Sequence, residues 1–278
     1  MIIDDVDFSG MYREHIRLAS RRSKPASDWD KRAEGIAQTG ATPNDPYVLA
    51  FTARMQLDGA ETLLDIGCGP GTICLPLAPH LKQVFALDYS RGMLDVLQQR
   101  AAARGISNVQ CIQRSWDDGW DDVPVCDLVV ASRSTMVSDL EDALKKLSAK
   151  AQRYVYTTHT VDRHFIVGDI MECLGRSTVG FPNYIYAVNL LYQMGYLPRV
   201  DFITTASCSQ ENKNKNSEEA ASVEPSGFGR FLKSVQWSIG ELSNKEVEKL
   251  KCYYEERGKN DTRLTSPNKT WAFVSWAV

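Results

Sequence analysis

The sequence has no run of about 18 apolar residues, and its opening MIIDDVDFSG carries neither a basic stretch nor an apolar one. A membrane-spanning helix and a secretory leader are therefore not expected, and the chain reads as a soluble, cytoplasmic protein. Charge of one sign is equally scarce. Thirty-two Lys and Arg against 35 Asp and Glu leave a formal charge of -3, without the basic excess that draws a protein to polyanions. Nucleic acid is accordingly an unlikely partner on composition. The seven cysteines are odd in number and contain no C-x-x-C pair, and the four histidines never pair with cysteine at ligand spacing. A disulfide framework and a bound metal are both disfavoured.

What the sequence does have is alternation. Apolar runs TLLDIG, QVFALD, VQCIQ, CDLVVAS and RYVYTTHT are separated by segments of helical periodicity such as SRGMLDVLQQRAAARG and VSDLEDALKKLSAK. Parallel strands joined by crossover helices follow, because a parallel neighbour cannot be reached by a tight hairpin. The expected fold class is α/β: a Rossmann-like, doubly wound, mostly parallel sheet with an antiparallel strand at one edge. PRVDFITTA and KTWAFVSWAV are the strands expected at that edge, and FPNYIYAVNLLYQMGY is read as a helix. Residues 1–60 read as an N-terminal helical lid segment, with Ser27 or Asp28 able to cap its second helix. Residues 61–278 form the main domain, with a polar, mobile loop near 208–226 and a helical insertion over 227–258 interrupted at Gly240 and Asn244.

LLDIGCGPGT joins the first strand to a helix through Gly67, Gly69 and Gly71. Glycine there permits a sharp turn and lets a ligand approach the backbone. The G-x-G-x-G spacing departs from the dinucleotide fingerprint G-x-G-x-x-G, which counts against pyrophosphate. Asp65 stands just before the turn, where a carboxylate repels phosphate and attracts an amine. Asp88 ends the second strand, where a carboxylate can accept from two ribose hydroxyls. A nucleoside carrying an amine is the ligand these residues describe.

With LLDIGCGPGT, FALDYSRGML and VQCIQRSWDD in order, the chain resembles the class I S-adenosylmethionine-dependent methyltransferases over about residues 60 to 135. The resemblance implies S-adenosylmethionine as cofactor and S-adenosylhomocysteine as product. It implies that Asp65, Gly67, Cys68, Gly69 and Gly71 form or line the methionine side, that Asp88 holds the ribose, and that Tyr89 and Met93 flank the adenine. Ser132, after the fourth strand, joins the expected cofactor contacts. WDKRAEG, at 29 to 35, is similar to the helix that closes over the cofactor in many small-molecule methyltransferases. Members commonly carry an aspartate in the third loop for the adenine amino group, where this chain has Ser115 and Trp116. The serine hydroxyl, the Trp116 backbone and Asp117 are the alternatives.

No residue pattern identifies a catalytic side chain or an oligomeric state. His159 is either a general base or a hydrogen-bonded structural residue. Arg133 either binds an anionic substrate or makes a surface salt bridge. Trp116 and Trp120 either line the pocket or pack the core, and Tyr12, His15, Trp29 and Tyr47 either form a lid or pack the N-terminal helices. ASRSTM after the fourth strand lacks the Asn/Asp-Pro-Pro-aromatic and Pro-Cys signatures of DNA methylases, so a small-molecule methyl acceptor is expected. A cofactor-binding regulatory protein without methyl transfer is the alternative from another class, and a nicotinamide-dependent oxidoreductase is disfavoured by the glycine spacing.

Overall fold

The computed structural model describes residues 2–19, 24–38, 44–166, 168–176, 179–205, 227–257 and 269–278. The mobile loop expected near 208–226 lies outside the described residues. The chain forms two compact units. One comprises Met1–Val161, Pro182–Ile203 and Trp271–Val278, the other Asp162–Phe181 and Thr204–Thr270.

Among the described residues, seven strands make one sheet: β1 (Thr62–Ile66), β2 (Gln83–Asp88), β3 (Val109–Gln113), β4 (Cys126–Ala131), β5 (Ala151–Thr160), β6 (Arg199–Thr205) and β7 (Lys269–Ala277). Their order is β3-β2-β1-β4-β5-β7-β6. Strands β1 to β5 run parallel and β7 pairs antiparallel with β5, Thr158 facing Phe273. This is the doubly wound, mostly parallel sheet with an antiparallel edge that the alternation predicts. The winding reverses between β1 and β4, which places a crevice at the carboxyl ends of those two strands.

The strands read as near-continuous apolar runs because both faces of the sheet are covered. Leu63, Leu128 and Val130 face one core with Phe51, Leu97 and Phe273. Leu64, Ile66 and Val129 face the other with Leu144, Leu147 and Leu190. Each fully buried Leu contributes about 1.5–3 kcal/mol relative to exposure. The flanking helices are α1 (Phe8–Leu18), α2 (Ala26–Gln38), α3 (Pro46–Thr52), α4 (Cys74–Leu77), α5 (Arg91–Ala103), α6 (Leu140–Ala149) and α8 (Tyr184–Gln193). Asp7, Asp45, Ser90, Asp139 and Asn183 cap five of them by accepting from first-turn amides. Helix α2 begins at Ala26, so Ser27 and Asp28 lie inside its first turn rather than at the cap.

The second unit holds α7 (Gly168–Leu174), α9 (Gly227–Ile239) and α10 (Asn244–Glu256). Ile170, Met171, Phe231, Val235, Leu250 and Tyr254 give it its own core. Ser243 and Glu246 close a capping box at the start of α10, and Arg176 Nε meets Glu246 at 2.6 Å. No described helix is long and apolar enough to cross a membrane.

Candidate functional site

Three successive amides of the glycine turn are tied to the end of β2. Gly67 and Cys68 N–H both donate to the Leu87 carbonyl, at 2.8 and 3.1 Å, and Gly69 N–H donates to Asp88 Oδ2 at 2.8 Å. Holding that path requires φ of 64° at Gly67 and 53° at Gly69, a region that L side chains rarely adopt. The two glycines differ in their surroundings. A Cβ on Gly67 would stand 2.4 Å from Ser134 Cβ, whereas one on Gly69 would meet nothing within 4 Å. Gly67 is needed for close packing, and Gly69 faces open space. Gly71 is needed for packing too, since its Cβ would meet Leu75 Cγ at 2.6 Å.

Two buried carboxylates flank the turn. Asp65 is 1% exposed and accepts from Cys74 N–H at 3.2 Å. Burial lifts its carboxyl to about 7, the Cys74 hydrogen bonds opposing and the neighbouring Asp88 adding to the rise. Asp88 is 6% exposed, and Ser90 N–H donates to its Oδ1 at 2.9 Å while Gly69 N–H takes Oδ2. Burial raises its pKa, with those amides opposing the rise. Cys68 lies between the glycines with a buried thiol whose pKa burial pushes well up, so it stays neutral.

Helix α2 is fastened over the start of α5. Asp30 Oδ1 accepts from Ser90 Oγ at 2.6 Å and from Gly92 N–H at 2.9 Å, which together hold its carboxyl below the usual range. Ala33 of α2 packs on Met93 and Val96, flanked by Trp29 and Ile36. Tyr89 donates its hydroxyl to the Lys24 carbonyl at 2.9 Å, and burial followed by Asp88 pushes its pKa to about 12. Met93, expected beside the adenine, is therefore buried under α2.

The ends of β4 and β5 form the opposite wall. The Tyr47 hydroxyl lies 2.7 Å from Ser132 Oγ and 3.0 Å from Thr158 Oγ1. Ser134 Oγ donates to the Ile66 carbonyl at 2.8 Å, bridging the switch between β4 and β1. His159 is 5% exposed, with Nδ1 3.1 Å from Thr135 Oγ1 and Nε2 2.9 Å from Thr157 Oγ1. Burial lowers its pKa to about 3. Its burial and the engagement of both ring nitrogens fit the hydrogen-bonded structural alternative.

In the third loop, Ser115 Oγ accepts from Asp117 N–H at 3.0 Å, and Ser115 N–H donates to Asp118. Trp120 is buried and donates Nε1–H to the Ser115 carbonyl at 2.9 Å, with the Trp116 ring 5.3 Å away. Tyr47 and Tyr12 are each packed into one of the two cores. The structure thus ties Gly67, Cys68, Gly69 and Asp88 into one bonded unit and links Ser132 to Tyr47. Ser115 and Trp116 belong to a turn held by internal hydrogen bonds and by Lys146 Nζ, which donates to the Trp116 carbonyl at 2.6 Å. Asp30, Ser90 and Ser134 were not legible as part of the site from local sequence.

The family profile described as "Methyltransferase domain" matches residues 63–173, a span that includes the glycine turn, both carboxylates and the ends of β4 and β5. The chain is a class I S-adenosylmethionine-dependent methyltransferase family member. An uncharacterized protein of Haemophilus influenzae is 38% identical to this methyltransferase over 278 residues, covering all of this chain and 99% of the relative. A probable cobalt-precorrin-6B C(15)-methyltransferase of Methanocaldococcus jannaschii is 32% identical over 68 residues, 24% of this chain and 37% of that protein. Other partial matches include protein-L-isoaspartate and RNA methyltransferases. Among solved structures, a putative methyltransferase from Bacillus halodurans superimposes with a TM-score of 0.55 at 12% identity, covering 83% of this chain and 97% of that one. That likeness concerns the fold.

Proposed function

We propose that this methyltransferase moves a methyl group from S-adenosylmethionine to a small-molecule acceptor and releases S-adenosylhomocysteine. The observation that carries the reading is the consumption of the Gly67, Cys68 and Gly69 amides by Leu87 and Asp88. Amides bonded inward do not cradle a pyrophosphate, as a dinucleotide turn does. What the turn offers instead is an open face at Gly69 between two buried carboxylates.

The residues present fit the cofactor. Asp88 retains lone pairs for the two ribose hydroxyls after accepting from Gly69 and Ser90. Asp65, poised near 7, is kept ionised by a cationic amino group. Gly67, Cys68, Gly69 and Gly71 shape the methionine side. Tyr89 and Met93 support the adenine from below α2, and Ser115 or Trp116 meets its edge. Ser132 sets the rim at β4. When bound, the cofactor supplies an electrophilic methyl carbon on a sulfonium leaving group, so the chain's own task is alignment and exclusion of water. The net charge of -3 favours a small acceptor over RNA.

Calorimetric titration with S-adenosylhomocysteine tests the reading. Binding to wild type is expected, with Asp88→Ala weakening it by about 1–3 kcal/mol. Well-folded protein that does not bind would sink the proposal. Methyl turnover on a metabolite panel then separates an enzyme from a cofactor-binding regulator.

A further inference from the structure

The geometry points to Arg133 as the seat for an anionic group, a carboxylate or a phosphate, on the methyl acceptor; the inference rests on the methyltransferase reading above. Arg133 stands two residues past the end of β4, one residue before the Ser134 that bonds Ile66 and crowds Gly67 across the switch point. Ligands of doubly wound sheets sit at that place, outside the strand ends.

Arg133 has φ of 57°, in the left-handed region, although it is not glycine. A bulky side chain there is unusual, and such residues concentrate at functional sites. Its surroundings hold it in place. Arg133 N–H donates to Thr158 Oγ1 at 2.9 Å, Ser132 Oγ meets Tyr47, and Thr135 Oγ1 donates to the Thr158 carbonyl at 2.8 Å. Every residue from 132 to 135 is thereby pinned by a bond to β1, α3 or β5.

The side chain is exposed, and its guanidinium lies 4.2 Å from the centroid of the Tyr47 ring. That ring is itself fixed by two hydrogen bonds through its hydroxyl. Among the described residues no carboxylate lies within ion-pair distance of Arg133, so the surface salt bridge that would explain it blandly is not what holds it. Stacking occupies one face of the guanidinium and leaves its N–H edge for a planar or tetrahedral anion. Arg32 on α2 adds positive potential from close by, and its own pKa is lowered by burial and then by Arg133.

The test follows the arginine Nε–H signals by NMR in protein saturated with S-adenosylhomocysteine, titrated at constant ionic strength with inorganic phosphate and, separately, acetate. Saturable movement of the Arg133 signal is expected. Arg133→Gly suits the left-handed backbone and preserves the fold, and it should weaken anion affinity at least tenfold while changing S-adenosylhomocysteine affinity less than twofold. Lys82→Gln, an equal charge loss away from the crevice, should leave anion affinity unchanged. Tighter binding of phosphate identifies a phosphorylated acceptor, and tighter binding of acetate a carboxylate. A stationary Arg133 signal with both probes, or equal affinity in Arg133→Gly, would overturn the assignment. Anion binding without S-adenosylhomocysteine binding would instead strike the methyltransferase reading and remove the acceptor role from Arg133.

Discussion

Gly69 N–H donates to Asp88 Oδ2 at 2.8 Å, so the open point of the glycine turn and the acid that ends β2 are mechanically one element. Substitutions at either residue therefore disturb a shared structure, and the two need different readouts to be told apart.

Gly69→Val places a branched side chain at φ 53°, where a Cβ points into open space. The left-handed backbone costs about 1–2 kcal/mol of stability. The larger effect falls on the ligand: S-adenosylhomocysteine affinity is expected to drop more than tenfold by calorimetry, with the circular dichroism spectrum unchanged. Undiminished affinity would place the cofactor elsewhere.

Gly67→Ala and Gly105→Ala separate conformation from crowding. Both positions have nearly equal positive φ, 64° and 66°, but only at Gly67 does the new Cβ meet a neighbour, Ser134. Gly105→Ala should cost about 1–2 kcal/mol in urea denaturation and Gly67→Ala about 1–3 kcal/mol more. Equal losses would mean that the β1 and β4 ends are not packed against each other.

Asp65 gives a pH signature. Its carboxyl is raised to about 7 in the folded protein, so the folded state holds the proton more tightly than the unfolded chain does. Stability from this group is full below its unfolded pKa near 4 and is lost as pH rises through about 7. A cationic ligand favours the ionised form, so cofactor affinity should rise with pH up to about 7, by at most about tenfold per unit. Calorimetry between pH 5.5 and 8.5 checks this, and Asp65→Asn should flatten the profile.

Asp30→Ala removes an acceptor shared by Ser90 Oγ and Gly92 N–H. A loss of about 1–3 kcal/mol is expected, as for other hydrogen bonds to a charged group. Hydrogen exchange at the Gly92 amide should quicken, while exchange in β4 should not.

The sheet was legible because its signals are local: apolar runs, glycine punctuation and an acid at a strand end all fall within a few residues. The expectations for Asp88 and the three glycines rest on the same local signals. What escaped is non-local. Asp30 and Ser90 are sixty positions apart, and Tyr47 reaches Thr158 across 111, with no local pattern announcing either pair. His159 was ambiguous because titration depends on burial, which comes from strand β7 and from two threonines brought together by folding. Helix α7 was missed because its short apolar stretch gains meaning only against α9 and α10.

The placement of β7 also bears on biosynthesis. It lies between β5 and β6, although both of those strands are translated well before it. As the polypeptide leaves the ribosome, the outer edge of β5 and the matching edge of β6 have no native strand between them until residues 269–277 emerge. At about 5–20 residues per second, the stretch from Thr160 to Lys269 takes on the order of 5–20 seconds to make. Nascent chains of this protein thus spend that interval with adhesive strand edges exposed, and any slowing of translation over that stretch lengthens the period of risk.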